Sequence, residues 1–338
     1  MDDTGLTRRE FVGESAKVAA GVAACLGATG GPSVQGAGRA AGDPSKILNY
    51  NPNMEYRRQG KTNLMVSAAC LGGHSRSNDK ERHDVVSRCI DAGINYIDAC
   101  SRGEVLRDCK ALKGRRDKMY LALSHCGHEV RNENYRTAKK LLAVLDNLLK
   151  ESKQEYTDLW RITCYEPGGR HTFNTTCEIV DALEKAKKQG KARCIGFSSH
   201  DRRWIKFMIE YFPQVEVVCF PFTTMSKAAP TDSLFDALKK RDVGAFGIKP
   251  FGAGSLFRGN ATEDNRRARL AIRYILLSKT VLPIPGMNSV GQVDNVAKAV
   301  KERRELDAKE RAELEGARKE MWANLPRNYQ WLKEWQYV

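Results

Sequence analysis

The feature that most constrains the fold is a regular alternation, along most of the chain, between short apolar runs and longer amphipathic stretches. Eight runs have the length and composition of buried strands, and eight stretches between and after them have the period of helices. The predicted strands cover residues 68–71, 96–99, 119–123, 159–164, 194–197, 215–220, 243–248 and 281–284. The predicted helices cover residues 79–92, 104–112, 133–151, 173–189, 200–212, 231–241, 264–278 and 289–303. This pattern predicts an α/β fold of the (β/α)8 TIM-barrel type.

The segments outside the repeat define the predicted domain organisation. A hairpin over residues 54–67 precedes the first strand, and the barrel is predicted to extend over residues 54–303. The tail, residues 304–338, contains a charged helix followed by an aromatic segment, which is predicted to pack across the barrel and partly cover its pocket. Phe257 stands where a dinucleotide-binding fingerprint starting at Gly252 would need its third glycine, so a doubly wound sheet is the weaker alternative.

The charge balance limits the partners that the chain is expected to have. The chain has 56 Lys and Arg residues and 41 Asp and Glu residues, which gives a formal net charge of +15 at pH 7. This excess lies outside the first 40 residues and clusters in runs such as residues 110–118 and 185–193, which are typical of solvated helix faces. The sequence therefore predicts no nucleic-acid partner. It also lacks an apolar run of about 18 residues, so no membrane-spanning segment is predicted.

Residues 1–45 differ from the rest in being rich in alanine and glycine. The segment Thr7-Arg8-Arg9-Glu10-Phe11-Val12 is followed by a weakly apolar stretch and by Gly38-Arg39-Ala40, which suits a signal peptidase. This order resembles a twin-arginine signal peptide followed by a linker. The resemblance implies recognition by the twin-arginine translocation machinery and export to the periplasm or the cell surface. Two alternatives are a lipoprotein box that acylates Cys25 and a short amphipathic helix of the folded domain.

In a barrel of this type the functional groups lie at the carboxyl ends of the strands and in the loops that follow. The segments at these positions are residues 72–74, 98–102, 124–126, 163–166, 198–200, 220–222, 249–252 and 285–288. They carry carboxylates, thiols, imidazoles, hydroxyls and a lysine. The sequence therefore predicts a polar site at this end of the barrel.

Four motifs resemble those of the aldo-keto reductase family, in the family's order and spacing. They are Asn95-Tyr96-Ile97-Asp98-Ala99, residues 112–118, Ile195-Gly196-Phe197-Ser198-Ser199-His200 and Ile284-Pro285-Gly286-Met287. The resemblance covers residues 54–303. It implies a (β/α)8 barrel that binds NADP(H) across the carboxyl face and reduces a small carbonyl substrate, or oxidises an alcohol, by hydride transfer.

The resemblance also implies a catalytic set of aspartate, tyrosine, lysine and histidine, of which only Asp98 is matched. Ser124 stands at the lysine position and Thr163 at the histidine position, and no tyrosine follows Asp98 at the expected distance. The chain is therefore predicted to use atypical catalytic residues. The candidates are Tyr165 as a proton donor, His125 or His200 as acid–base groups, and Arg102 to polarise an oxygen or bind an anionic substrate.

The cofactor side of the family pattern is better matched. The resemblance places two serines at the nicotinamide, a lysine loop over the pyrophosphate and the start of the last barrel helix at the adenosine, where free backbone N–H groups suit a phosphate. The candidate cofactor-binding residues are Ser198, Ser199, Gln214, Lys249, Phe251, Gly252, Gly286, Asn288, Gln292 and Asn295.

Two other functions remain open from the residues alone. Cys100, Cys126 and Cys164 follow consecutive strands, with His74, His125 and His128 on the same face, and such a set could hold a tetrahedral metal ion. The same cysteines are also small apolar residues suited to a crowded barrel mouth, or two of them could form a disulfide in an exported protein. The loss of three family catalytic residues is also consistent with a non-catalytic binding protein.

Overall fold

The structure is a computed structural model, and it describes residues 43–73, 77–164, 171–226 and 234–334. The predicted export signal and Cys25 lie outside the described residues, as do His74 and Tyr165. After a short 3-10 helix at Pro44–Lys46 comes the predicted hairpin, in which β1 (Tyr56–Arg58) pairs antiparallel with β2 (Met65–Ser67).

Seven parallel strands follow in sequence order and form one sheet. Each strand pairs with the next along the chain, because the intervening helices return the chain to the same edge of the sheet. They are β3 (Tyr96–Ala99), β4 (Tyr120–Leu123), β5 (Thr157–Thr163), β6 (Ala192–Ser198), β7 (Val217–Pro221), β8 (Gly244–Ile248) and β9 (Val281–Pro283).

The predicted first strand, residues 68–71, forms single bridges rather than a ladder, yet it joins the two edges of this sheet. The N–H of Leu71 donates to the carbonyl of Tyr96 at 2.9 Å, and the N–H of Cys70 donates to the carbonyl of Pro283 at 3.1 Å. Isolated bridges at Leu71 and Gly72 continue the contacts to β3 and to Gly286. The segment therefore occupies the eighth strand position, and the predicted (β/α)8 barrel is confirmed.

The helices form the outer layer, and their ends are set by side-chain caps. Asn78 and Glu81 form a reciprocal capping box at the start of the first helix, and the hydroxyl of Ser101 accepts the N–H of Glu104 at the start of the second. The second helix therefore begins two residues before the predicted position. The helices are α1 (Asp79–Asp91), α2 (Arg102–Ala111), α3 (Ala138–Ser152), α4 (Phe173–Lys188), α5 (Arg202–Tyr211), α6 (Leu234–Arg241), α7 (Ala261–Leu277), α8 (Val290–Lys301) and α9 (Ala308–Ala323).

The tail packs on the barrel through its last helix. Met321 and Ala317 of α9 are buried against Leu256, and a 3-10 helix at Arg327–Glu334 follows. Inside the barrel, the rings of Tyr96 and Phe246 stack with their centroids 4.4 Å apart. Among the described residues, no helix combines the length and the apolar character that a membrane span requires.

Candidate active site

A cleft of about 750 Å³ opens at the carboxyl ends of the strands, and we call it the mouth cleft. Residues that follow six of the parallel strands line it, together with one residue of the tail. Its polar and ionisable lining includes Asp98, Cys100, Glu104, Cys126, Arg131, Arg161, Thr163, Cys164, Ser198, His200, Lys249, Asn288 and Tyr329. The predicted location of the site and the predicted residues Asp98, Ser198, His200, Lys249 and Asn288 thus coincide at this cleft.

The floor of the mouth cleft holds a buried ion pair between Asp98 and Arg161. Arg161 Nε donates to Asp98 Oδ1 at 3.1 Å and its Nη2 donates to Oδ2 at 2.9 Å, and both side chains are at most 5% exposed. The same Nη2 donates to Ser124 Oγ at 3.2 Å. An arginine on β5 therefore supplies the cation beside Asp98, where the family resemblance predicts a lysine at position 124. Burial nevertheless raises the pKa of Asp98, although Arg161 opposes the rise.

Sequence reasoning missed Arg161. A signal was present, because a charged residue stands between apolar neighbours in a run that was predicted to be a buried strand. A charge at such a position needs a partner inside the protein. The sequence does not identify that partner, since Asp98 lies 63 residues away in the chain.

The three predicted cysteines all line the mouth cleft, but their environments differ. A hydrogen bond from Cys100 lowers the pKa of Cys126, and the nearby Arg161 lowers it further against the effect of burial. The hydrogen bond to Cys126, together with burial, raises the pKa of Cys100, and burial raises that of Cys164. Among the described residues, no group of three His, Cys, Asp or Glu side chains is arranged to hold a metal ion, so the predicted metal site is not assembled there.

Glu129 lies fully buried behind these residues and accepts the backbone N–H of Thr163 at 2.7 Å. Burial raises its pKa to about 7. Because the folded protein holds this proton at pH values where the unfolded chain has lost it, stability should fall as the pH rises from about 4.5 to about 7.

The substitution Glu129→Gln should remove that dependence. Relative to wild type, the variant's free energy of unfolding should rise by about 3 kcal/mol between pH 4.5 and pH 8. Urea denaturation of both proteins across this pH range gives the difference between their free energies of unfolding. Groups that titrate in the same way in both proteins cancel in this difference. A difference that stays constant with pH would contradict the raised pKa.

His200 and Lys249 meet the aromatic tail at the rim of the mouth cleft. The imidazole of His200 stacks on Trp331 with ring centroids 4.1 Å apart, and burial holds its pKa well below the ordinary value. Lys249 Nζ lies 5.5 Å from the ring centroid of Tyr329 and 5.8 Å from that of Trp331. Burial lowers the pKa of Lys249 to about 8. The site thus pairs a neutral histidine with a lysine that titrates near neutral pH.

The predicted catalytic residues Arg102 and His125 do not line the mouth cleft. Arg102 is the first residue of α2, its side chain is 58% exposed, and it forms an ion pair with Glu151 on α3. The helix start turns this side chain away from the barrel axis, which corrects the expectation that Arg102 contacts a substrate. His125 is half-buried beside the cleft, and its Nε2 lies 2.8 Å from Nδ1 of His128. Tyr165 lies outside the described residues.

Three predicted cofactor residues also lie elsewhere. Gln214 precedes β7, so it lies at the amino end of the barrel, where it lines a surface depression with Lys61. Ser199 is buried, and its hydroxyl accepts the N–H of Asp201 at 3.1 Å. Gly252 is buried against α9, and a Cβ there would lie 2.8 Å from the sulfur of Met321. Gln214 is thus at the opposite end of the barrel from both clefts, which corrects the expectation that it contacts a cofactor there. Ser199 and Gly252 line neither cleft, and their contact with a cofactor stays a prediction.

A second cleft of about 460 Å³ lies beside the start of α8, and we call it the side cleft. It shares Phe251, Phe257 and Gly286 with the mouth cleft. The predicted residues Gln292 and Asn295 line it. Gln292 Oε1 accepts the N–H of Asn288 at 2.7 Å, and Asn295 Oδ1 accepts from Arg269 Nη1 at 2.7 Å.

A parallel barrel whose cleft, at the carboxyl ends of the strands, is lined by ionisable side chains is typical of the (β/α)8 enzymes. Comparison with known proteins gives the family. The aldo/keto reductase family matches residues 67–268, more than half of the chain, and the chain belongs to that family of NAD(P)-dependent oxidoreductases.

The similarity to individual relatives is distant. L-galactose dehydrogenase of Arabidopsis thaliana is 24% identical over 287 residues, which cover 74% of this chain and 89% of the relative. The holo form of an aldo-keto reductase from Bacillus halodurans aligns with a TM-score of 0.63 and 19% identity over 78% of this chain and 96% of that one. An aldo/keto reductase from Klebsiella pneumoniae in complex with NADP and acetate aligns with a TM-score of 0.56 and 19% identity. This alignment covers 77% of this chain and 94% of that one. At these identities the structural likeness supports the fold.

Proposed function

We propose that this protein is an exported NADP(H)-dependent oxidoreductase that interconverts a small carbonyl compound and its alcohol in the mouth cleft. The observation that carries the proposal is that the mouth cleft and the side cleft lie next to each other, with Phe251, Phe257 and Gly286 lining both. Together they form a path from Asp98 to the start of α8, which suits an extended dinucleotide rather than a compact ligand.

The residues along this path fit such a cofactor. Gly254, Gly259 and Gly291 line the two clefts, and no atom lies within 4 Å of where a Cβ would stand at any of them. Ligand atoms can therefore approach the backbone closely at these positions. The free N–H groups at the start of α8 suit a phosphate, and Ser198 and Asn288 offer polar groups in the mouth cleft. When bound, NADP(H) would supply or accept the hydride.

The proton must then come from a group other than the family's tyrosine. We assign this role to Lys249, which lines the mouth cleft and has a pKa of about 8. A donor whose pKa lies near the working pH transfers a proton efficiently. The predicted donor His200 suits the role less well, because its lowered pKa keeps it neutral under Trp331. The pair of Asp98 and Arg161 would hold the floor of the cleft in a fixed geometry.

Export is the further part of this proposal, and the twin-arginine motif at Arg8 and Arg9 supports it. A folded protein with NADP(H) already bound suits this route. Replacing both arginines with lysine should retain a fusion of residues 1–45 to a reporter inside the cell, whereas the unchanged fusion should be exported. Equal export of the two fusions would overturn this part. Attachment of the exported protein to membranes only when Cys25 is present would favour the lipoprotein alternative.

Titration of the full chain with NADPH tests the cofactor proposal. We expect binding by wild type and a loss of affinity of more than about tenfold for Gly286→Val, because the added methyl groups project into the junction of the two clefts. A Cβ at this position meets only the carbonyl oxygen of Gly73, at 3.6 Å, so the fold should tolerate the change. Fluorescence of NADPH or calorimetry measures the affinity.

The matched control is Gly103→Val on the exposed surface of α2, where a Cβ has no neighbour within 4 Å. It should bind NADPH as wild type does. The absence of NADPH binding by folded wild type would overturn the proposed function. Binding without turnover of any carbonyl or alcohol would favour a non-catalytic binding protein derived from the reductase fold.

A further inference from the structure

Two cysteines lie side by side on the floor of the mouth cleft. Cys100 follows β3 and Cys126 follows β4, and these strands are neighbours in the sheet. The N–H of Cys126 donates to the carbonyl of Cys100 at 3.0 Å, and the two thiols are hydrogen-bonded to each other. Both side chains line the same cleft, so one small reactant can reach the pair.

The two thiols are not equivalent. Cys126 is partly exposed, whereas Cys100 is 5% exposed, so a reactant that enters the cleft meets Cys126 first. The Sγ of Cys126 lies 3.4 Å from Thr163 Oγ1, and Arg161 favours its thiolate form electrostatically. Cys100 instead has a carboxylate beside it, since Glu104 Oε2 lies 3.2 Å from its Sγ and accepts its backbone N–H at 3.0 Å.

The charges around the pair favour the same assignment of roles. The cations that face it are Arg131, Arg161 and Lys249, and the carboxylates are Asp98, Glu104 and Glu129. Arg161 and Arg131 both lower the pKa of Cys126, and Glu104 and Asp98 both raise the pKa of Cys100. At neutral pH this arrangement keeps a thiolate at Cys126 beside a protonated thiol at Cys100.

We propose that Cys100 and Cys126 are a redox-active pair that is oxidised to a disulfide by a small disulfide entering the mouth cleft, with Cys126 as the attacking thiolate and Cys100 as the resolving thiol. This activity lies beyond hydride transfer and does not depend on NADP(H). The thiolate, rather than the thiol, is the form that attacks a disulfide.

The reaction balances in two exchange steps. The sulfur of Cys126 bonds to one sulfur of the small disulfide, the bond between its two sulfurs breaks, and the released thiolate takes a proton from water. Cys100 then gives its proton to Glu104 and bonds to the sulfur of Cys126, which breaks the bond between Cys126 and the remaining small sulfur. The second small thiolate leaves and takes the proton from Glu104. Overall, the protein dithiol is oxidised to a disulfide while one small disulfide is reduced to two thiols.

Oxidised glutathione is the probe for the experiment, which uses the full chain. After incubation, acid quenching and alkylation, peptide mapping by mass spectrometry should find a Cys100–Cys126 link in wild type. Cys100→Ser should stop at a mixed disulfide between glutathione and Cys126, because the resolving thiol is missing. Cys126→Ser should show no glutathione on Cys100, because the attacking thiolate is missing. Reduction with a small dithiol should restore both free thiols in wild type.

Two cysteines provide matched controls. Cys177 is exposed on α4, and Cys164 lines the same cleft but donates its thiol to the carbonyl of Ile162. Cys177→Ser and Cys164→Ser should both keep the Cys100–Cys126 link. Glutathione on Cys177 of wild type without any Cys100–Cys126 link would overturn the proposal, and so would unchanged reaction of Cys100 in Cys126→Ser.

A measurement on wild type alone keeps the test valid if a variant fails to fold. At pH 6, iodoacetamide should modify Cys126 more than ten times faster than Cys177, although Cys177 is the more exposed residue. The rate at Cys126 should fall only when the pH is lowered towards its depressed pKa. Faster modification of Cys177 at pH 6 would overturn the assignment of Cys126 as the thiolate.

Discussion

Replacing Arg161 with methionine is expected to lower the free energy of unfolding by about 3–5 kcal/mol at pH 7. The substitution keeps much of the apolar bulk of the side chain but leaves the carboxylate of Asp98 buried without its cation. Arg161 makes two hydrogen bonds to Asp98 and one to Ser124, and all three acceptor atoms lose that donor. Urea denaturation followed by circular dichroism measures the loss.

The double variant Arg161→Met with Asp98→Asn is the control that separates charge from packing. Removing both charges leaves no buried ion, so the double variant should be more stable than Arg161→Met alone. If the losses of unfolding free energy in the two single variants simply add up to the loss in the double variant, the two residues do not act as a buried ion pair. That result would indicate that the arginine contributes through packing.

The effect of Arg161→Met should also depend on pH. Burial raises the pKa of Asp98 even with Arg161 present, and removing the cation should raise it further. The folded variant then binds a proton that the unfolded chain has released, so its stability falls as the pH rises through that range. The decrease in the free energy of unfolding of Arg161→Met relative to wild type should therefore be smaller at pH 5 than at pH 8. Unfolding curves at the two pH values test this sign.

The sequence predicts the architecture well because each strand and helix of the barrel has its own local hydrophobic pattern. Each of the seven strands in the sheet overlaps a predicted apolar run, and the helix starts follow from local caps such as Asn78. The segment at residues 68–71 differs because its role comes from its two neighbours, β3 and β9, which local pattern does not contain. The hydrophobic period of the sequence determines which helices and strands form. How many hydrogen bonds a strand makes to its neighbours depends instead on tertiary contacts.

The site is less accessible to sequence reasoning because it depends on directions and distant pairs. The resemblance predicts Gln214 near the cofactor, but β7 begins at Val217, so Gln214 lies at the opposite end of the barrel. Arg102 lies close in sequence to Asp98, yet the start of α2 turns it outward. Arg161 was missed, although its pairing with Asp98 forms the floor of the cleft. A motif gives neighbours in the chain, whereas a catalytic site is built from neighbours in space.

Replacing Lys249 with glutamine should lower kcat for carbonyl reduction by about 10²–10⁴-fold, since this is the usual contribution of a positioned general acid. The affinity for NADPH should change little, because the residue acts on the proton rather than on the cofactor. In wild type, kcat for reduction should fall as the pH rises through about 8, where Lys249 loses its proton. Stopped-flow and steady-state kinetics across pH 6–10 measure the profile.

The substitution Lys249→Arg separates proton donation from charge. Arginine keeps the cation between Tyr329 and Trp331 but does not release a proton in this pH range. If Lys249 donates the proton, the arginine variant should bind NADPH as wild type does and yet lose kcat, together with the fall near pH 8. If both variants instead keep kcat and glutamine alone weakens NADPH binding, the lysine serves the phosphates of the cofactor, and the proton must come from a different group in the mouth cleft.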